Sequence, residues 1–227
     1  LTEYRLNAVD VVNSNTIYTA GFAGTILKSS NGGSTWASQS SGAGGEDLND
    51  ILFANSNTGI SVGSNGTIVK TTDGGANWNF ISSGIGENMY GLARTSGGKY
   101  YASGADGKLV YSTDNGDTWT DIATSYSGSG YAFTDMQCFG TDTLIISTDQ
   151  PYIITTYDNG VSWNLVGNGS SYETTAMYFL NSNEGWIGTS IGEIYYTTDG
   201  GVSWNMVYQT ASNAAIGTIV FTDPQNG

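Results

Sequence analysis

The chain reads as an all-β propeller of four-stranded antiparallel blades, with five repeats in view and the first strand of a sixth. Three observations predict this: an eight-residue box that recurs five times, a nearly constant interval between copies, and short apolar alternations at fixed distances before each box. The copies are Ser29–Trp36, Thr71–Trp78, Ser112–Trp119, Thr156–Trp163 and Thr197–Trp204, and their tryptophans lie 42, 41, 44 and 41 residues apart. The corresponding repeats span about 1–40, 41–82, 83–124, 125–168 and 169–210, with 211–227 either opening a sixth repeat or closing the ring, all within one domain.

Each box pairs an acidic or amide residue with a tryptophan five positions on: Asn31 and Trp36, Asp73 and Trp78, Asp114 and Trp119, Asp158 and Trp163, Asp199 and Trp204. A short side-chain acceptor followed by turn-forming residues and glycine predicts a tight hairpin, because the acceptor takes backbone N–H groups and glycine supplies the positive φ. Twelve residues before tryptophan stand Gly24, Gly66, Gly107 and Gly192, replaced by Pro151 in the fourth repeat, and β-type runs flank every turn. Further upstream, Val9 and Val11, Ile51 and Phe53, Met136 and Cys138, and Met177 and Phe179 alternate as half-buried strands do, with Leu92 and Arg94 the irregular pair. About four strands per ~40-residue period is the pattern of a propeller blade. Blades arranged radially bury against one another the faces that a single blade exposes. At the end of the chain Ile219, Phe221 and Asn226-Gly227 repeat the spacing of Ile51, Phe53 and Thr58-Gly59.

The boxes resemble the Asp-box, or bacterial neuraminidase repeat, written S-x-D-x-G-x-x-W. The longer run from Gly66-Thr67-Ile68 through Asp73-Gly74-Gly75 to Trp78 is most similar to the Ycf48-type subgroup. The resemblance implies a propeller. It carries three functional expectations: a binding scaffold, a glycan-processing enzyme, or a Ycf48-like photosystem assembly factor. Related sialidases use a three-arginine clamp, and Ycf48-type factors present an arginine-rich face. This chain has only Arg5 and Arg94.

Composition narrows the partners. With 20 acidic residues, 6 basic ones and no histidine, the net charge is −14, which opposes binding to nucleic acid or an anionic membrane surface. No apolar run approaches the ~20 residues of a membrane-spanning helix, so insertion is not expected. Cys138 is a lone cysteine on a predicted inner strand, read as core. Asp114-Asn115-Gly116-Asp117 lacks the ligand spacing of a cation loop, and neither metal nor cofactor is expected.

A structural role recurs in every repeat, whereas a site need not, so residues that break the repeat are the binding candidates. The loops opposite the boxes carry Glu46, Asp47, Glu87, Tyr90, Tyr126, Tyr131, Tyr172 and Glu173, tyrosines among acids that suit a protein or glycan partner. Asp50 and Asp135 open inner strands where other repeats hold Ala8, Gly91 and Ala176. They are the weak catalytic candidates, a carboxylate pair of the kind that cleaves glycosides. The leading expectation is a non-enzymatic scaffold, secreted or on a bacterial cell surface, since its Ser/Thr/Asn-rich and Lys-poor composition suits that setting.

Overall fold

The computed structural model describes residues 3–221. Blade one is β1 (Leu6–Val11), β2 (Ile17–Gly21), β3 (Ile26–Ser29) and β4 (Ala37–Gln39). Blade two is β5 (Leu48–Phe53), β6 (Gly59–Gly63), β7 (Thr67–Thr71) and β8 (Asn79–Ser82). Blade three is β9 (Met89–Arg94), β10 (Tyr100–Gly104), β11 (Leu109–Ser112) and β12 (Thr120–Asp121). Blade four is β13 (Phe133–Phe139), β14 (Thr143–Thr148), β15 (Tyr152–Thr156) and β16 (Asn164–Gly167). Blade five is β17 (Thr174–Phe179), β18 (Gly185–Thr189), β19 (Glu193–Thr197) and β20 (Asn205–Gln209). Each is a four-stranded sheet in chain order, antiparallel throughout. The first strands β1, β5, β9, β13 and β17 pack one on the next and form the inner wall.

The box is the hairpin between the third and fourth strands. In blade two, Thr71 Oγ1 accepts the Gly75 amide, Asp73 Oδ1 accepts the Asn77 amide at 2.8 Å, and Thr71 donates its hydroxyl to Asp73. Blades three, four and five repeat that network around Asp114, Asp158 and Asp199, and Asn31 takes the Thr35 amide in blade one. These bonds stabilise the ionised form and hold Asp73, Asp114, Asp158 and Asp199 below the usual carboxylate range, the side-chain donor being the largest cause at each. The second and third strands meet in a three-residue 3-10 turn in blades one to three, centred on left-handed Ala23, Asn65 and Asp106. Gly66, which closes the second of these turns, has φ +67°, and a Cβ there would lie 2.1 Å from the Ile85 carbonyl oxygen.

The core consists of layers between blades. Tyr18, Ile26, Leu48, Ile51, Val69 and Trp78 fill the first seam, and equivalent clusters fill the next three. Side chains also reach across each seam into the next box. Tyr18 Oη donates to the Gly74 carbonyl at 2.6 Å, Lys70 pairs with Asp117 at 2.6 Å, Tyr101 Oη donates to Asn159 Oδ1, and Tyr157 Oη donates to the Gly200 carbonyl. Cys138 lies in β13, partly buried in the third seam, and burial pushes its thiol up to about 12.

Beyond β20, residues 213–221 form no ladder of their own but occupy the place of an inner strand. Phe221 stacks on Trp186 at 4.1 Å as Phe53 stacks on Tyr18 at 3.9 Å. Thr175 Oγ1 donates to the Ile216 carbonyl as Asn7 Nδ2 donates to that of Leu48. Asn226-Gly227 lie outside the described residues.

A candidate peptide-binding funnel on the propeller axis

Every inner strand is interrupted near its start. The register shifts between Leu6 and Ala8, Leu48 and Asp50, Phe133 and Asp135, and Thr174 and Ala176, and in blade three Ser103 and Gly104 pair with Gly91 and Met89. The residue left out of the pairing is Asn7, Asn49, Tyr90, Thr134 or Thr175. A bulge re-aims one side chain while the rest of the strand stays in register. Here it places five polar residues around one opening, a funnel of about 750 Å³ whose rim also includes Arg5 and Asp149.

The ring of bulges is tied together from blade to blade. Asn7 Nδ2 donates to the Leu48 carbonyl at 2.9 Å, and Asn49 Nδ2 donates to the Met89 carbonyl at 2.7 Å. Arg5 Nε donates to Asn7 Oδ1 at 3.0 Å, and its guanidinium lies over the Phe22 ring. Between blades four and five a second cavity of about 400 Å³ adjoins the funnel, lined by Asp135, Asp149, Glu173, Ser147, Thr134 and Thr174.

Asp50 and Asp135 lie on inner strands separated by β9, and each senses its surroundings differently. Asp50 Oδ1 accepts its neighbour Ile51 N–H at 2.8 Å, and Oδ2 accepts Leu92 N–H of the next blade at 2.7 Å. Burial pushes its carboxyl up to about 7, helped by the charges of Asp135 and Asp10 and opposed by the Leu92 and Ile51 amides. Asp135 Oδ1 accepts Met136 N–H at 2.8 Å. Burial pushes its carboxyl up to about 6, opposed by the Met136 amide, and the residue faces the cavity between blades four and five. Asp10 acts as Asp50 does, Oδ2 accepting Phe53 N–H across the first seam at 2.6 Å, and burial raises its carboxyl too. With both oxygens of Asp50 held by backbone amides, its carboxylate serves blade packing.

The eight loop residues are not gathered into one site. Tyr90 is on the funnel rim and Glu173 lines the adjoining cavity. Asp47 Oδ1 accepts the amide of left-handed Ala23, Glu46 Oε2 accepts Asn65 Nδ2, and Glu87 accepts the Gly86 amide. Tyr126 packs on the third seam, Tyr131 stacks on Tyr152 at 6.0 Å, and Tyr172 is exposed. Sequence reasoning passed over Asn7, Asn49, Thr134 and Thr175. The signal was present: one repeat position, just before the alternating run, is polar or tyrosine in all five repeats.

Residues 43–170 match the family described as photosynthesis system II assembly factor YCF48. The chain belongs to this family. Residues 195–206 also match the BNR/Asp-box repeat. No curated protein matches the chain. Among solved structures it is similar to YCF48 bound to D1 peptide, with 20% identity and TM-score 0.70 over 90% of this chain and 67% of that one. It is also similar to YCF48 from Cyanidioschyzon merolae, with 16% identity and TM-score 0.55 over 91% of this chain and 86% of that one. Virginiamycin B lyase from Staphylococcus aureus shares 13% identity and TM-score 0.80 over 96% of this chain and 74% of that one. At these identities the likeness shows a shared propeller fold.

Membership in the YCF48 family corrects two expectations. The secreted or cell-surface location is overturned, because a photosystem assembly family does not work there. The reading as a secreted or cell-surface scaffold falls with it; the expectation of a protein partner stands, and nothing supports a glycan. Both rested on a polar, lysine-poor surface, and such a surface records contact with water, which a propeller meets in any aqueous compartment. Composition encodes solubility and no address.

Proposed function

We propose that the protein is an assembly factor of YCF48 type that binds a protein partner and holds an extended peptide segment of it at the axial funnel. The observation that carries this reading is the ring of bulged residues. Asn, Thr and Tyr side chains from all five blades converge on one opening and offer donors and acceptors without charge. An extended peptide presents alternating N–H and C=O groups that need such partners once water is displaced. Arg5 and Asp149 add one charge of each sign at the rim, which fixes the direction in which a peptide lies. Family membership supplies the class of partner, and a similar protein has been solved bound to a D1 peptide.

Calorimetric titration with overlapping synthetic peptides covering D1 tests the proposal. One peptide is expected to bind, and Tyr90→Ala and Arg5→Gln each to weaken it by about tenfold, ~1.4 kcal/mol. Val161→Ala, on the box face, is expected to leave binding unchanged. Absence of binding by every peptide, or equal affinity in the funnel variants, overturns the proposal.

A further inference from the structure

The cavity of about 400 Å³ between blades four and five is lined by carboxylates whose counterparts elsewhere hold blades together. Asp47, Asn88 and Glu173 share one repeat position. At the first seam Asp47 Oδ1 accepts the amide of left-handed Ala23 at 2.8 Å, and at the second Asn88 Oδ1 accepts that of left-handed Asn65 at 3.0 Å. Glu173 meets no such amide. The corner of blade four is Asp149-Gln150-Pro151, which contains no left-handed residue, and the amide of Gln150, at the place of Asn65, is donated to Thr148 Oγ1 of its own blade. The Glu173 side chain is left exposed on the cavity wall.

Asp135 is released from packing as well. Its counterpart Asp50 ties two blades through Oδ2 and the Leu92 amide. At the fourth seam Gln137 makes the tie instead, its Oε1 accepting Phe179 N–H at 2.6 Å. Asp135 uses Oδ1 for the adjacent Met136 amide, and Oδ2 has no hydrogen-bond partner among the described residues.

No cation of the chain answers these two carboxylates. Its six basic residues are engaged elsewhere: Arg5 with Asn7, Lys28 with Gly74, Lys70 with Asp117, Lys108 with Asp121, Lys99 with Asn159 and Arg94 with the Tyr100 ring. A carboxylate walled by protein is stabilised by a counter-charge that it lacks here. Among the described residues no acidic group is arranged to hold a metal ion, so the space suits an organic cation.

Resting on the peptide reading of the funnel that this cavity adjoins, we infer that the cavity receives one lysine or arginine side chain of the bound segment, its charge held against Asp135 and Glu173. The funnel takes the peptide backbone, and the cavity selects the residue.

Titrating the overlapping D1 peptides in two forms, native and with every Lys and Arg replaced by Gln, tests this. The peptide that binds is expected to lose at least ~tenfold in affinity in its Gln form, because a charge is withdrawn from a confined pocket. In Glu173→Gln and Asp135→Asn the two forms should differ by less than ~threefold, the remainder being screened long-range attraction. Asp142→Asn, at an exposed carboxylate on the box face, changes the net charge equally and should keep the full difference. Tyr90→Ala should weaken both forms alike. Equal binding of the two forms to the unaltered protein, with Tyr90→Ala still weakening both, overturns the inference and leaves the funnel reading standing. A difference that survives Glu173→Gln and Asp135→Asn overturns it too, because the cation then sits elsewhere. Failure of every peptide in both forms removes the funnel reading and this inference with it.

Discussion

Val9 and Ile51 hold the same place in their repeats, yet Val9 is 63% exposed and Ile51 3%. Met136 and Met177, at that place in blades four and five, are buried like Ile51. The difference lies in the neighbour. Ile51 rests on Tyr18, Ala20 and Ile26 of the blade before it, whereas no described blade stands before Val9. Burial in a propeller is thus a property of the seam between repeats, as expected of a repeat fold whose stability is held in nearest-neighbour interfaces.

The comparison is sharpest where a seam is emptied. Ile51→Ala is expected to destabilise the fold by about 3 kcal/mol, through lost transfer energy and the cavity left behind. Val9→Ala, a truncation at the same repeat position on the open side, is expected to cost within ~0.5 kcal/mol. Urea denaturation of both variants measures the contrast, and similar midpoints would mean that the seam is not what buries this position.

Next in size is a buried carboxylate at a repeat position that blade one fills with alanine. Asp50 occupies the place filled by Ala8 in blade one, and its carboxyl rises to about 7 by burial, against ~4 for a free aspartate. The folded state then holds a proton that the unfolded state has released. Asp50 therefore contributes stability that is fully present below pH ~4 and is lost as pH rises to about 7. The box carboxylates, held low by their hydrogen bonds, act in the opposite sense, and their contribution is lost as pH falls below the usual carboxylate range. Melting temperatures from pH ~3 to ~9 should fall at both ends, and Asp50→Asn should make the limb between ~4 and ~7 shallower, with Asp135 and Asp10 supplying what remains, while leaving the acid limb intact. An unchanged profile in that variant would remove burial of Asp50 as the cause.

The smallest expected effect concerns one hydrogen bond. Tyr18→Phe removes the bond from Oη to the Gly74 carbonyl across the first seam and should cost about 1 kcal/mol. Tyr208→Phe, on the exposed side of blade five, should leave the denaturation midpoint where it is.

The parts legible in the sequence are those that repeat. The box hairpins, the alternating inner strands and the period announce themselves because each blade must satisfy the same turn bonds and bury the same faces. The funnel was harder to see. Asn7, Asn49, Tyr90, Thr134 and Thr175 share a repeat position but no residue type, and only the register shift shows that a bulge turns them together. Asp50 and Asp135 drew notice as carboxylates that break the repeat; the bonds of Asp50 to Ile51 and Leu92 give it a packing role that spacing does not reveal, while Asp135 faces the cavity between blades four and five.

By itself the sequence determined the propeller, the five boxes and their mutual distance, because turn chemistry and two-residue alternation act over a few residues and leave a local trace. The tertiary structure alone decided which copies of a repeated position are buried, which polar residues meet on the axis, and which blade face stays open. Those outcomes depend on the neighbouring blade, and no residue within a repeat records whether that neighbour is there.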